Sequence, residues 1–172
     1  MTKINTQARL SIVCGLPCSG KTTFANKLAE DRNATVFSLD RLVLSLFCEE
    51  DSFETHRKYV KRIEKVFFSL ARDLLYKGHK VIMDFPGHTQ SERNKLRQIG
   101  QSVGVETELY YLKAGSETIN ARIQKRNAAP GDGEYKIPNW LYKIIADKFE
   151  EPNFSENPLI IWTDRSNSYK EQ

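Results

Sequence analysis

The chain has 172 residues and a formal net charge of +4, from 26 Lys and Arg against 22 Asp and Glu. One domain with a sizeable core is the economical reading of that length, and the mild positive balance suits anionic ligands without by itself indicating nucleic acid. The apolar runs are too short to span a membrane, nothing before the first strand reads as a secretory leader, and three cysteines without a CxxC pair (Cys14, Cys18, Cys48) suit a reduced, cytoplasmic protein.

Leu10 to Cys14 is a short apolar run that predicts the first strand, and Thr22 to Asp31 predicts a helix with Phe24 and Leu28 one turn apart. Between them, Gly15 to Thr22 fits the pattern G-x-x-x-x-G-K-[ST] in full. Strand, glycine loop and helix N-terminus together make an anion site. Successive backbone N–H groups curl round a phosphate, and the helix dipole favours negative charge there. Gly15, Pro17, Cys18, Ser19, Gly20, Lys21, Thr22 and Thr23 are therefore the candidate nucleotide-binding residues. Lys21 is expected to reach the β- and γ-phosphates of ATP, and the Thr22 hydroxyl to bind Mg²⁺.

Ala34 to Leu39 predicts a second strand, followed at once by Asp40 and by a short apolar helix or turn from Arg41 to Phe47. Asp40 has two compatible readings. It caps that helix, or it presents a carboxylate at the C-terminal edge of a parallel sheet, where ligands collect. Phe53 to Lys77 is the longest helical segment, with Val60, Ile63, Phe67, Leu70 and Leu74 as its apolar stripe. Its basic residues (Arg57, Lys58, Lys61, Arg62, Lys65) read first as a solvated face supported by pairs such as Glu54 with Lys58 and Asp73 with Lys77. The alternative is a wall that guides a phosphorylated or nucleic-acid substrate.

Gly78 is expected to end that helix in the left-handed conformation. Lys80 to Phe85 predicts a buried third strand ending in an acid, Asp84, placed either to hold Mg²⁺ or simply to cap a loop. A turn through Pro86, Gly87 and His88 leads to a helix over Gln90 to Val103, interrupted in composition by Gly100. Glu106 to Leu112 predicts the fourth strand, and Ser116 is the expected N-cap of a helix over Glu117 to Asn127. That helix carries Arg122 and Arg126 on one face and runs into a Gly- and Pro-rich loop. Planar guanidinium groups at the mouth of such a loop suit a phosphate-closing lid, expected at about 127–138. Asn139 is the expected cap of a last helix over Trp140 to Phe149. Leu159 to Trp162 predicts the fifth strand, and Thr163 to Gln172 reads as a polar tail.

Strands alternating with helices imply a parallel sheet covered on both faces. The phosphate loop, Ser38-Leu39-Asp40-Arg41, Val81 to Phe85 with the following Ser91 to Leu96, and Ala121 to Asn127 occur here in the order seen in small phosphate-loop kinases. The chain resembles the ATP-dependent kinases labelled AAA-family ATPases and is similar, more distantly, to polynucleotide kinase, chloramphenicol phosphotransferase and zeta toxins. The likeness runs from about Leu10 to Trp162. It implies a three-layer α/β fold in one domain over 1–172, with a five-stranded sheet ordered 2-3-1-4-5 and the nucleotide above its C-terminal edge. It further implies that Asp40 accepts the proton of an acceptor hydroxyl, that Arg122 lies near the adenine and that Arg126 contacts the transferring phosphates. Cys18 departs from the family's glycine, and Pro86-Gly87-His88 departs from its usual turn.

The expected function is transfer of the γ-phosphoryl group of ATP to a hydroxyl, with Mg²⁺. Lys21, Asp40 and Arg126 are its catalytic residues, Arg122 joins the loop in nucleotide binding, and Thr22 and Asp84 hold the metal. A small-molecule or nucleotide-like acceptor is the leading reading. A nucleic-acid 5′-end kinase and a slowly hydrolysing nucleotide switch are the competitors. No [NT]-K-x-D guanine signature follows the fourth strand, and the length leaves no room for the second helical domain of an AAA+ motor.

Overall fold

The computed structural model describes residues 7–46, 53–131 and 134–164. The expectations for Phe47, Cys48, the Glu54–Lys58 pair and the tail beyond Asp164 lie outside the described residues. Five strands form one parallel sheet in the order β2-β3-β1-β4-β5. These are β1 (Arg9–Cys14), β2 (Thr35–Ser38), β3 (Lys80–Asp84), β4 (Glu106–Lys113) and β5 (Pro158–Trp162). The helices among the described residues are α1 (Lys21–Arg32), α2 (Leu39–Leu46), α3 (Phe53–Tyr76), α4 (Gln90–Val103), α5 (Ser116–Ala128) and α6 (Asn139–Lys148), with a 3-10 turn at Phe154–Glu156.

β1 lies at the centre, with Ile12 opposite Met83 on one side and Leu109 on the other. A strand flanked by two others and covered on both faces has no side to give to water, and Leu10 to Cys14 are all buried, Ser11 among them with its hydroxyl donating to Glu108 Oε2 at 3.3 Å. Its side chains still divide by face. Leu10, Ile12 and Cys14 join Phe37, Met83, Leu109 and Tyr111 in a core that meets α3 and α4 through Ile63, Phe67, Leu96 and Ile99. Val13 turns the other way and packs with Ile82, Tyr110, Leu112 and Ile161 against Phe24 and Ala25 of α1. The result is three layers, as the alternation of strands and helices required.

Several local expectations are corrected. Asp40 is the second residue of α2 rather than the cap before it, because Leu39 is drawn into the core (3% exposed) and the helix begins with it. Asp40 thereby sits by the positive end of the helix dipole. Ser116 is the first residue of α5, preceded by Gly115, which makes no side-chain capping bond. The Gly115 N–H instead donates to Asp164 Oδ2 at 2.5 Å. Likewise α6 begins at Asn139, after Pro138.

On α3 the buried residues are Ile63, Phe67, Ala71 and Leu75, whereas Leu70 is 45% exposed. At about 100° per residue, steps of four drift forward around the helix, so the buried arc moves past Leu70 toward Ala71 and Leu75. Lys77 N–H donates to the Asp73 carbonyl at 3.1 Å, a backbone bond at the end of α3 and not the side-chain pair expected there. Gly78 does turn left-handed, at φ +91°. Gly100 serves close packing, since a Cβ there would run into Thr107 Oγ1 and touch Leu10.

Candidate active site

The phosphate loop leaves the end of β1 and enters α1. Gly15 must be glycine, because a Cβ at that φ of +147° would stand 2.5 Å from the Leu112 carbonyl oxygen. Gly20 occupies the N-cap of α1 in the left-handed region and brings no side-chain cap, so no side chain satisfies the first N–H groups of that helix from the cap position. Lys21 opens α1, and its Nζ donates to the carbonyls of Gly15 (3.0 Å) and Leu16 (2.9 Å). Burial lowers the Lys21 pKa, while the Asp84 and Asp40 carboxylates pull against that shift. An ammonium that is poorly hydrated and rests on neutral carbonyls gains most from an arriving anion.

β3 delivers Asp84, 6% exposed, to the floor of the site. Its Oδ2 accepts from Thr22 Oγ1 at 2.8 Å and from Ser38 Oγ at 3.1 Å. Among the described residues there is no cluster of three or more His, Cys, Asp or Glu able to hold a metal. The chemistry of Thr22 and Asp84 fits Mg²⁺ held by one carboxylate, a hydroxyl and substrate phosphates, which is how that ion binds where no all-protein cage exists.

Arg122 and Arg126, one turn apart on α5, meet different surroundings. Arg122 donates from Nη1 to Thr163 Oγ1 (2.9 Å) and the Cys18 carbonyl (3.2 Å), and from Nη2 to the Thr163 carbonyl (2.9 Å). Arg126 stacks on Tyr135, with its guanidinium carbon 5.1 Å from the ring centre, and its Nη1 lies 3.9 Å from Cys18 Sγ. Its Nε is buried without a hydrogen-bond partner, and Glu134 Oε1 stands 3.9 Å away. The Asn127 side chain both donates to and accepts from the backbone of Ile137, at 2.9 and 2.7 Å, and so closes the chain on itself across the segment expected to form a lid.

These parts surround one cleft of about 1650 Å³. Pro17, Cys18, Gly20, Lys21, Thr22, Thr23, Asp40, Asp84, Arg122 and Arg126 all line it, while Gly15 and Ser19 are buried in the loop behind. His88 also lines it, from the turn after β3. Burial and the Lys21 charge hold the His88 pKa below its usual value, with Lys148 adding to and Glu92 opposing the effect. Cys18 adopts φ +60°, in the left-handed region that favours glycine.

Several lining residues escaped the sequence reading, among them Ser38, Tyr135 and Thr163. Ser38 was legible only as strand. Tyr135, whose phenol burial and the Asp40 charge push up to about 12, carried the signal of an aromatic side chain inside a Gly-rich loop. His88 gave no more signal than any loop histidine. Thr163 was assigned to a polar tail, yet it is anchored to the end of β4 by its N–H, which donates to the Lys113 carbonyl at 2.9 Å.

The family described as AAA domain matches residues 10–147. A protein of Aeropyrum pernix named probable adenylyl-sulfate kinase is 29% identical over 160 residues, spanning 90% of this chain and 82% of that protein. Among solved structures, Kti12 of Chaetomium thermophilum in complex with ADP-AlF3 is similar with a TM-score of 0.67 at 19% identity, over 90% of this chain and 89% of that one. A sugar kinase of Janibacter sp. HTCC2649 is similar with a TM-score of 0.65 at 16% identity, over 92% of this chain and 87% of that one. At such identities the two structures speak to the fold alone.

Proposed function

This chain belongs to the AAA-domain family of phosphate-loop kinases, and from that premise we propose that it moves the γ-phosphoryl group of ATP to a hydroxyl of a small-molecule or nucleotide-like acceptor. The observation that carries the reading is the convergence on one cleft of a half-buried ammonium, a hydroxyl–carboxylate pair and a second, exposed carboxylate at Asp40. Loop N–H groups and Lys21 bind the β- and γ-phosphates, Thr22 and Asp84 hold Mg²⁺, and Arg122 braces the nucleotide side. Bound Mg-ATP supplies the activated phosphoryl group. Asp40 takes the proton of the acceptor hydroxyl as the new O–P bond forms and the bond to the β-phosphate oxygen breaks. Arg126 neutralises the charge that spreads over the transferring oxygens.

The acceptor side favours a small molecule over a nucleic-acid end. Among the described residues, none of the basic side chains of α3 lines the cleft, so they offer no track along a polynucleotide backbone into it. Beside the phosphate loop, α1 and α5, the cleft is lined by Asp40 and Arg41 of α2 and by His88 of the turn after β3.

The test is ATP consumption by the purified chain against pooled metabolites, antibiotics and oligonucleotides, with Lys21→Ala and Asp40→Asn beside the wild type. Lys21→Ala is expected to lose transfer roughly a hundredfold, about 3 kcal/mol of transition-state stabilisation. Asp40→Asn should keep ATP affinity and lose transfer by roughly ten- to a thousandfold. Turnover near wild type in Lys21→Ala, or an oligonucleotide as the one productive pool, would overturn the proposal.

A further inference from the structure

Thr163 follows β5 directly and belongs to no element, yet it gathers three parts of the site. Its N–H donates to the Lys113 carbonyl at the end of β4 (2.9 Å), and its own carbonyl accepts from Arg122 Nη2 (2.9 Å). Its hydroxyl accepts from Arg122 Nη1 at 2.9 Å and stands 2.8 Å from the carbonyl oxygen of Ser19, inside the phosphate loop. The Lys113 carbonyl is a poorer acceptor for the same hydroxyl, at 3.4 Å. With a lone pair taken by Arg122, the hydroxyl proton turns to Ser19. The three groups form a relay in one sense, guanidinium to hydroxyl to loop carbonyl, in which each bond polarises the next.

The relay fixes the orientation of a peptide. In a planar trans peptide the C=O and N–H point in opposite directions. Holding the Ser19 carbonyl on Thr163 therefore turns the Gly20 N–H to the opposite side of the peptide, away from Thr163. Arg122 holds the neighbouring carbonyl, Cys18, in the same manner at 3.2 Å. The fit is close on the apolar side as well. A Cβ on Gly20 would stand 3.3 Å from the Thr163 methyl, so the threonine backs the loop where it bends left-handed at φ +96°.

We infer that Thr163 is a positioning residue for the phosphate loop, acting with Arg122 to hold the Ser19–Gly20 peptide with its N–H ready for a phosphate. The inference rests on the nucleotide-binding reading of that loop. It gives Arg122 a task besides any contact with a base, and it makes the residue after β5 part of the anion site rather than the start of a tail.

The experiment measures affinity for three probes, MgATP, magnesium tripolyphosphate and adenosine, in the wild type, Thr163→Val, Thr163→Ser and Arg122→Gln. Valine keeps the shape and removes the hydroxyl. Loss of one well-made hydrogen bond is expected to weaken MgATP and tripolyphosphate alike by roughly three- to tenfold, leaving adenosine unchanged. Thr163→Ser should restore both. The double variant Thr163→Val with Arg122→Gln should lose little more than the worse single one, since both cut the same relay.

Weaker MgATP with unchanged tripolyphosphate would move Thr163 to the nucleoside side and overturn the inference, as would failure of serine to rescue or simple additivity in the double variant. Should Thr163→Val not fold, Thr163→Ser and Arg122→Gln read the same relay from its two ends. A wild type that binds neither MgATP nor tripolyphosphate would overturn the nucleotide reading itself, seen before any variant is compared.

Discussion

Two arginines mark two kinds of region in this molecule. Arg93 of α4 is 0% exposed, and each of its three guanidinium nitrogens donates a hydrogen bond. Nε and Nη2 make a fork with both oxygens of Glu156 at 2.8 Å, and Nη1 reaches the carbonyls of Gly87 (3.0 Å) and Glu150 (2.8 Å). Arg126 of α5 has a side chain 18% exposed, an Nε without a partner and a carboxylate no nearer than 3.9 Å. The first ties the turn after β3 to the approach of β5 and leaves nothing for a ligand. The second is held in place by stacking on Tyr135 while its strongest hydrogen bonds remain to be made. Saturation of a buried charge is the signature of architecture; under-satisfaction at the rim of a cleft is the signature of a group available to incoming charge.

Breaking Arg93 should have the largest effect on the molecule. Arg93→Met leaves the Glu156 carboxylate buried without its fork, and such losses typically cost about 3–5 kcal/mol. Chemical denaturation should report that loss in the apo protein. Acid sharpens the same point. Burial pushes the Glu156 carboxyl up, but the fork from Arg93, the Asn153 N–H and the Arg97 charge overcome it and hold the carboxyl below its ordinary value of 4.5. A carboxyl depressed in the folded state contributes stability that is present above 4.5 and disappears as pH falls through the folded value. Wild-type stability should therefore drop in that acid window, and the slope should flatten in Arg93→Met. A stable Arg93→Met protein with an unchanged acid slope would dissolve the contrast between the two regions.

The contrast also explains what could be read from the sequence. The phosphate loop and the acid ending β3 are local patterns, fixed by residues adjacent in the chain, and each fell where expected, whereas the order of strands came from the resemblance to phosphate-loop kinases. The Arg93–Glu156 pair joins residues 63 apart, and the Thr163 relay reaches back 144 positions to Ser19. No periodicity announces such partners, because only the folded sheet edge brings them together. Helix starts were missed for a related reason. Leu39 and Ser116 lie inside their helices because core packing and Asp164 set the boundaries, not the nearest capping side chain. A readable cap was passed over: Thr89 and Glu92 form a reciprocal capping box at the start of α4.

Arg126→Lys tests the other member of the comparison and should give an intermediate effect, confined to chemistry. Lysine keeps the charge but loses the planar fork and the stack on Tyr135. Under the proposed function, transfer should fall roughly ten- to a hundredfold while ATP affinity changes by less than about threefold. The apo protein should unfold within about 0.5 kcal/mol of wild type, since no saturated network is cut. Steady-state kinetics beside a binding titration separates the outcomes. Equal losses in transfer and affinity would assign Arg126 to ground-state binding. A stability loss on the scale of Arg93→Met would make it architecture after all.

The smallest effect is expected at Cys18, where the loop touches both regions' logic at once. A non-glycine residue at φ +60° carries a steric cost of roughly 1–2 kcal/mol that glycine would relieve. Two terms oppose the gain. Glycine frees the unfolded chain by about 0.4–1 kcal/mol, and Cys18→Gly also removes a side chain packed beside Ile119, Ile123 and Ile137. The balance should leave stability within about 1 kcal/mol of wild type. Transfer should stay within about threefold, because the Sγ contact with Arg126 at 3.9 Å is too long to hold the guanidinium by itself. Thermal unfolding and turnover of Cys18→Gly decide the matter together. A large loss of turnover with unchanged stability would mean that the thiol, and not the stack on Tyr135, sets where Arg126 points, and the arginine at the cleft would then be held as firmly as the one behind the sheet.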